Sequence, residues 1–281
     1  MLADGHIHTP YCPHGTLDSF DKYIEKAISL GLKEITFTEH APLPSTFEDP
    51  TPLKDSAMKI NQLENYFEEI TSLKEKYQST IKINTGLEVD YIEGYETEIR
   101  EFLQKYGAFI DDSILSVHFL KHKEGYYCLD YSPEVFSTMI SLFGSIEAIY
   151  KKYYETLLMS IRGDLGPFKP KRIGHITLVH KFQQKYPIQK RFEQEIVNLL
   201  DEMCIHHLQL DYNGAGTAKP LCREPYPPEW VIDEAIKRNI PIIYGSDAHQ
   251  AKELGQGLYS MRNGVFMSPT SYNNAAFNEG V

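Results

Sequence analysis

The sequence predicts a single α/β domain over residues 1–281, built as a distorted (β/α)7 TIM-like barrel with its active site at the C-terminal ends of the strands. Short runs rich in Ile, Val, Leu, Thr and Phe alternate with helical patterns, and seven such strand–helix units can be counted. This alternation is typical of a parallel sheet, whose strands are buried on both faces. A closed or nearly closed barrel meets that requirement, and a doubly wound open sheet is the alternative.

The predicted strands are short and apolar, as buried parallel strands should be. They span Leu2–Thr9, Glu34–His40, Ile81–Asp90, Ser113–Phe119, Arg172–Val179, His207–Asn213 and Pro241–Asp247.

Helical patterns separate these strands. In Ser19–Leu30, apolar residues recur at i, i+3, i+4, i+7 and i+8, Ser19 suits the N-cap, and Gly31 suits the position just after the helix. The segment Pro42–Asp55 is predicted to be a loop beside the site, and the tail from Ser260 is predicted to be loosely ordered. Further helices are predicted over Met58–Tyr77, Gly94–Tyr106 and Pro187–Met203, from Ser132-Pro133 onward, and from about Pro228 to Arg238.

Composition narrows the class of protein. The formal charge is −11 and no Lys/Arg-rich run compensates it, which favours a small-molecule substrate over nucleic acid. No apolar stretch is long enough for a membrane span, and the N-terminus does not resemble a signal peptide. Four widely spaced cysteines indicate free thiols, so a cytoplasmic enzyme is expected. These are Cys12, Cys128, Cys204 and Cys222.

Metal-binding residue types fall at or near the ends of six of the seven predicted strands. In the motif His6-Ile7-His8, residues i and i+2 of a strand point the same way, so both imidazoles can reach one ion. His14 follows on the next loop. The other candidates end or lie in later strands: His40, Glu88, His118, His175, Asp247 and His249.

Seven imidazoles and two carboxylates exceed the needs of one ion and suffice for two or three divalent ions with open positions for water and substrate. Such ligands suit Zn, Fe or Mn, and no thiolate is expected among them. Paired metals serve the hydrolysis of phosphoesters and amides. The remaining histidines, His122, His180, His206 and His207, are expected to be ordinary polar residues.

These motifs, taken in order along the chain, resemble the polymerase-and-histidinol-phosphatase (PHP) family of metal-dependent phosphoesterases. The resemblance implies a distorted (β/α)7 barrel with a trinuclear centre. It implies one ion held by His6, His8, Glu88 and Asp247, and a second held by His118, His175 and the bridging Glu88. The third ion would be held by His14, His40 and His249. Catalysis would then depend on Glu88, Asp247, His249 and His118.

Within the family, the segments Gly86–Tyr91 and Asn213–Gly216 and the long insertion after His118 resemble members that hydrolyse L-histidinol phosphate, a small phosphomonoester of histidine biosynthesis. A phosphate calls for guanidinium or ammonium donors, and Arg162, Lys219 and Arg223 are expected on the active-site side of the barrel. Asp90, Asp211 and Asn213 are expected either to contact the substrate or to support the ligands.

Three alternatives stay open on the residues alone. The chain could act on another small phosphoester such as a nucleotide, it could be an exonuclease-like module, or it could bind metal without catalysis. The ions' identity and the oligomeric state are not encoded in these patterns.

Overall fold

Seven parallel strands form one sheet in which each strand pairs with the strand named before and after it. In that order they are β1 (Ala3–Ile7), β2 (Glu34–His40), β3 (Lys82–Asp90), β4 (Asp112–Ser116), β7 (Arg172–Ile173), β8 (Gln209–Asn213) and β9 (Ile242–Gly245). Between β4 and β7, strands β5 (Phe119–His122) and β6 (Gly125–Cys128) pair as an antiparallel hairpin. These bounds come from a computed structural model, which describes residues 2–123, 125–262 and 264–270.

Helices alternate with the strands and bury one face each. In α1, Phe20, Tyr23, Ile24 and Ala27 are buried, as their spacing predicts. Within the described residues, no helix is both long and apolar enough to cross a membrane. The helices are α1 (Phe20–Ser29), α2 (Leu63–Tyr77), α3 (Glu96–Tyr106), α4 (Pro133–Phe143), α5 (Ile146–Arg162), α6 (Glu193–Ile205), α7 (Ala215–Ala218) and α8 (Glu229–Lys237).

The first and last strands meet just beyond their regular ends, and this seam closes the barrel. Ile7 and Ala248 form a parallel bridge. The amide of His8 donates to the carbonyl oxygen of Ala248 at 3.0 Å, and the amide of Asp247 donates to the carbonyl oxygen of His6 at 2.7 Å. The predicted seven-stranded, nearly closed barrel is therefore confirmed, and the open-sheet alternative is wrong.

Polar side chains fill the barrel at the N-terminal ends of the strands. Arg172 is fully buried and donates to the carbonyl oxygen of Gly5 at 2.6 Å and to the carboxylate of Asp112 at 2.8 Å. Thr36 donates to the same carboxylate at 3.0 Å. A Cβ at Gly5 would lie 2.5 Å from a guanidinium nitrogen of Arg172, so this position has no room for a side chain. Arg172 and Asp112 thus connect β1, β4 and β7 beneath the site.

Several predicted bounds are wrong where the chain leaves the sheet early. The fourth strand ends at Ser116, and the fifth predicted strand keeps only Arg172–Ile173 before the chain turns into a short 3-10 helix, Leu178–Phe182. A Cβ at Gly174 would lie 2.2 Å from Ser116 Oγ, so the chain passes very close to β4 there. Helix α6 begins only at Glu193, although Pro187 was its predicted start.

The predicted loose tail lies partly outside the described residues, at 263 and 271–281. Its described part is packed against the barrel, contrary to the prediction. Met267 donates its amide to the carbonyl oxygen of Ile242 at 2.9 Å, the Phe266 ring lies 5.6 Å from that of Tyr244, and Thr270 donates to Glu34 at 2.9 Å.

We expect Arg172→Ala to lower the free energy of unfolding by about 3–5 kcal/mol, because it leaves the Asp112 carboxylate buried without its partner. Burial already raises the pKa of Asp112, even with the guanidinium beside it. Urea unfolding of the two proteins measures the difference. The adjacent Lys171 is exposed, and Lys171→Ala is the matched control with a change below about 0.5 kcal/mol. Equal losses for both variants would contradict the role given to the pair.

Candidate active site

All nine predicted ligands lie at the C-terminal end of the barrel. His6 is on β1, His40 on β2 and Glu88 on β3, whereas His8, His118, His175, Asp247 and His249 lie just after strand ends and His14 on a loop. Seven of them, all except His6 and His8, line a cavity of about 450 Å³. The predicted Pro42–Asp55 loop borders the same cavity through Thr51 and Asp55, and has neither helix nor strand.

Glu88 is the centre of the arrangement. Its Oε2 lies 3.5 Å from Nε2 of both His6 and His8 and 3.1 Å from Nδ1 of His40. Its Oε1 lies 2.9 Å from Nε2 of His175 and 3.8 Å from Nε2 of His118. Both carboxylate oxygens therefore face ligand nitrogens, which is the arrangement that a bridging carboxylate needs.

Two of the predicted ligand groups come together as compact sets. Potential ligand atoms of His6, His8 and Asp247 lie within 4.8 Å of one another, with His8 Nε2 3.1 Å from Asp247 Oδ1. Those of Glu88, His118 and His175 form a second set within the same limit.

The third set differs from its predicted composition. His14 Nε2 lies 3.2 Å from His249 Nε2, and the His14 and His40 rings are 5.0 Å apart, so the three expected histidines are neighbours. The buried thiol of Cys12 lies within 4.8 Å of ligand nitrogens of His8, His40 and His249. The expectation that no thiol lies in the cluster is therefore wrong; Cys12 and His14 share one short turn, a proximity that only the fold reveals.

Three carboxylates hold the imidazoles from behind. Asp211 Oδ2 lies 3.1 Å from Nδ1 of His6, and Asp90 Oδ1 lies 2.7 Å from Nδ1 of His118. Glu39 Oε1 lies 3.4 Å from Nδ1 of His8. Because each Nδ1 is engaged in this way, each Nε2 points at the cavity, as metal-binding histidines require. Asp90 and Asp211 thus contact ligand imidazoles, as the supporting alternative predicts, and Asp90 also lines the cavity.

Glu39 was missed as a functional residue. It is fully buried, and its other oxygen accepts from the amide of Thr9 at 2.9 Å. It directly precedes His40 on β2, and neighbouring residues on a strand point to opposite faces. Strand alternation therefore gave no reason to aim it at the same centre, although a buried carboxylate beside a ligand histidine was a usable signal.

The local field favours charged carboxylates despite their burial. Burial opposes ionisation of Asp247, yet the imidazoles of His6 and His8 hold its pKa well below its usual range. For His118, burial favours the neutral ring, but Asp90 and Glu88 raise its pKa to about 10. Burial likewise opposes charge on His8, but Asp247 and Glu39 raise its pKa to about 9. The centre thus attracts positive charge.

Strained backbone presents two of the ligands. His175 has φ 21° and Asp247 has φ 54°, both in the left-handed region that residues with a Cβ rarely adopt. Gly245 makes room beside them, because a Cβ there would lie 2.5 Å from both Asp211 Oδ1 and His6 Cβ. Strain at such positions is typical of functional sites.

The donor set fits divalent metal ions. Nδ1 of His14 donates to the carbonyl oxygen of Asp55 at 2.7 Å, and Nδ1 of His249 donates to that of Asp247 at 3.1 Å. These bonds leave the two Nε2 atoms, 3.2 Å apart, as lone-pair acceptors that repel each other unless a cation lies nearby. In addition, Nε2 of His6, His8 and His40 is buried without a hydrogen-bond partner among the described residues.

Of the three predicted phosphate contacts, one lines the cavity and two do not. Lys219 lines the cavity. Arg162 does not: it ends α5 and pairs with Glu202 at 2.6 Å on the surface. Its predicted location is wrong because a helix that precedes a barrel strand ends at the opposite face from the site. Arg223 is exposed, and its Nε donates to the carbonyl oxygen of Pro220 at 3.2 Å, so its own turn occupies it outside the cavity wall.

The cation that the sequence did not single out is Lys181. It lines the cavity from the 3-10 helix after His175 and pairs with Asp130 at 2.8 Å. Although burial opposes its charge, Asp130 raises the pKa of the Lys181 ammonium. The sequence predicted a strand as far as Val179 and therefore did not place Lys181 near the site. In the structure, the chain turns back over the site after His175.

Asn213 bridges two site carboxylates and does not line the cavity in the described residues. Its amide nitrogen donates to Asp211 at 3.2 Å and to Asp247 at 3.1 Å. The four remaining histidines also lie outside the cavity wall. His180 pairs with Glu224 at 2.7 Å, and the His122 ring packs 4.5 Å from that of Phe143. His206 and His207 are exposed at the end of α6.

Comparisons with known proteins agree with this geometry. A family model described as the PHP domain matches residues 4–213. Histidinol-phosphatase from Bacillus subtilis (strain 168) is 49% identical over 257 residues, which are 90% of this chain and 95% of that protein.

Two solved structures are also similar. One from Listeria monocytogenes, described as a histidinol phosphatase, has a TM-score of 0.88 at 38% identity, over 92% of this chain and 100% of that chain. Histidinol phosphate phosphatase from Lactococcus lactis subsp. lactis Il1403, solved with zinc, L-histidinol and phosphate, has a TM-score of 0.66 at 20% identity. That match covers 89% of this chain and 87% of the other and concerns the fold. Because the family model covers well over half of the sequence and the Bacillus relative nearly all of it, the chain belongs to the PHP domain family.

Proposed function

We propose that this protein is a histidinol-phosphatase, which hydrolyses L-histidinol phosphate to L-histidinol and phosphate with two or three divalent ions, zinc among them. The observation that carries the proposal is the complete set of nine candidate ligands, Glu88 and eight others around it, at the mouth of the barrel. The 49% identity to the Bacillus enzyme over most of both chains supports the substrate.

The proposed ligand sets follow the distances. His6, His8, Asp247 and one oxygen of Glu88 would hold one ion, and His118, His175 and the other oxygen would hold a second. His14, His40 and His249 would hold the third. When bound, divalent ions supply Lewis-acid stabilisation of phosphoryl oxygens and an activated water. The chain's own task is to fix the ligands, which Asp90, Asp211 and Glu39 do through the rear nitrogens of the imidazoles.

The charges of the carboxylates and the proposed ions nearly cancel, so binding of a phosphate requires a cationic side chain. Besides Glu88 and Asp247, the supporting Glu39, Asp90 and Asp211 bring five carboxylates to the centre. Five negative charges largely offset the four to six positive charges of two or three divalent ions, so a phosphate dianion needs further positive charge. We assign that role to Lys181, whose ammonium lies in the cavity wall, with Lys219 nearer the rim. Charge-assisted bonds to phosphate are stronger than neutral ones.

Substrate profiling tests the assignment. Metal-replete protein should hydrolyse L-histidinol phosphate with a kcat/KM at least about 100-fold above that for nucleoside monophosphates, because discrimination of about 3 kcal/mol is within reach of one shaped polar site. Phosphate release at several substrate concentrations measures both values. Chelation of the ions should abolish both activities, and re-addition of zinc should restore them. Equal kcat/KM values for the two substrate classes would overturn the assignment while leaving the metal centre intact.

We expect Glu39→Gln to weaken zinc binding or kcat by about 10–100-fold, because the carboxamide supports the His8 ring less strongly than a carboxylate does. Competition with a chromophoric chelator measures the zinc affinity, and phosphate release measures kcat. Glu64 is exposed on α2, and Glu64→Gln is the matched control, expected to match the wild type. Unchanged zinc affinity and kcat in Glu39→Gln would show that the contact is incidental.

We expect Lys181→Met to lower kcat/KM about 10–100-fold, since a hydrogen bond from a charged group contributes about 1.5–3 kcal/mol. Lys181→Arg should recover part of the loss by restoring the positive charge. Arg223→Met and Arg162→Met remove cations outside the cavity and should stay within about twofold of the wild type. Should Arg162→Met instead show the larger loss, the location of the phosphate would have to be revised.

A further inference from the structure

The thiol of Cys12 occupies an unusual position beneath the metal centre. Cys12 lies on the turn between β1 and α1, where its amide donates to the carbonyl oxygen of Thr9 at 3.0 Å and its carbonyl oxygen accepts from Gly15 at 3.2 Å. The same turn is joined to the last strand, because the amide of Thr16 donates to the carbonyl oxygen of His249 at 3.1 Å. The backbone therefore holds Cys12 and His249 at a defined separation.

The sulfur of Cys12 is held by backbone amides, because those of His14 and Gly15 hydrogen-bond to it. The thiols of Cys128, Cys204 and Cys222 each lie 3.3–3.6 Å from an oxygen acceptor. Cys12 is only 6% exposed, yet its sulfur faces ring nitrogens within 4.8 Å, those of His8, His40 and His249. A buried thiol surrounded by nitrogen lone pairs has the surroundings of a metal ligand.

The imidazole of His40 supplies a second, independent observation. It is 6% exposed, and neither of its ring nitrogens has a hydrogen-bond partner among the described residues. Its Nδ1 lies 3.1 Å from Glu88 and its ring faces that of His8 at 4.2 Å. An unpartnered buried imidazole next to a buried thiol leaves room for one cation between them.

The cavity wall shows from which side the thiol approaches. His14, His40 and His249 line the cavity, whereas Cys12, among the described residues, does not. The sulfur therefore faces the cluster from the protein interior, opposite the side where substrate and water enter. Because His8 Nε2 already lies 3.1 Å from Asp247, His8 belongs with the first ion and leaves this position to Cys12.

We propose that Cys12 is a thiolate ligand of the ion held by His40 and His249. When the sulfur–metal bond forms, the thiol proton leaves to solvent, and no electron is transferred. A soft sulfur ligand makes this position favour zinc over manganese, in contrast to the two positions built from nitrogen and oxygen. The inference rests on the proposed metal centre but not on the proposed substrate.

Cobalt(II) substitution tests the proposal directly. The metal-free wild type is loaded with Co(II), its cobalt content is measured, and its near-ultraviolet absorption is recorded. Thiolate ligation gives a sulfur-to-cobalt charge-transfer band, which we expect in the wild type and in Cys128→Ser but not in Cys12→Ser. Cys128 is the matched control, because it is also buried and lines the same cavity.

X-ray absorption at the zinc edge of the unaltered protein gives a second readout that does not depend on any variant folding. We expect a sulfur shell at about 2.3 Å that amounts to roughly one sulfur for every two or three zinc ions, besides nitrogen and oxygen neighbours at about 2.0–2.2 Å. Absence of the cobalt band and of the zinc–sulfur shell in fully loaded wild type would overturn the proposal. Persistence of the band in Cys12→Ser would overturn it as well. Failure of histidinol phosphate as a substrate would leave both readouts unchanged.

Discussion

The burial of one carboxylate, that of Glu88, is the constraint on which the site depends. It is 1% exposed and lies within 4 Å of five imidazoles. A buried anion is tolerated only where positive charge surrounds it closely. The barrel meets this need by aiming ligands from its strand ends at one point, and burial, though it opposes charge on Glu88, is outweighed by His6 and His118, which lower its pKa.

The carboxylates that contact the imidazoles from behind follow from the same constraint. Imidazoles that must offer Nε2 to a central ion need an acceptor at Nδ1, and Asp211, Glu39 and Asp90 supply it. These acceptors add negative charge, so ions alone leave little surplus to hold a phosphate. Lys181, which pairs with Asp130 at 2.8 Å on the cavity wall, is the ammonium that we assign to the substrate's phosphate.

The barrel, and the gathering of the nine predicted ligands at one end of it, could be predicted because both depend on local patterns. Buried parallel strands are apolar runs, and ligands at strand ends share an edge in any parallel sheet. What could not be predicted depends on where the chain leaves the sheet. The strand β7 ends at Ile173, and the residues after it turn over the cavity, which brings Lys181 into the cavity wall although the sequence did not single it out. Likewise, Arg162 is the last residue of α5, and that end of the helix faces the side of the barrel opposite the site.

Dependence on the three-dimensional path of the chain also explains why the sequence did not point to Glu39 and Cys12. Cys12 lies on the turn after β1, where a spacing of two or four residues implies no shared face, and Glu39 is the immediate neighbour of His40 on β2. Residues that support ligands from behind are held by tertiary contacts, and tertiary contacts leave the weakest mark on a single sequence.

The seam between β1 and β9 has a consequence for how the protein matures. Because His6 and His8 lie on one side of the seam and Asp247 and His249 on the other, the two halves of the centre are separated by almost the full length of the chain. A nascent polypeptide that has left the ribosome only as far as β8 can shape most of the barrel but lacks two ligands and the strand that closes it. Of the three proposed ligand sets, the two that contain Asp247 or His249 are therefore completed only with the last strand, whereas the set of Glu88, His118 and His175 is complete before it.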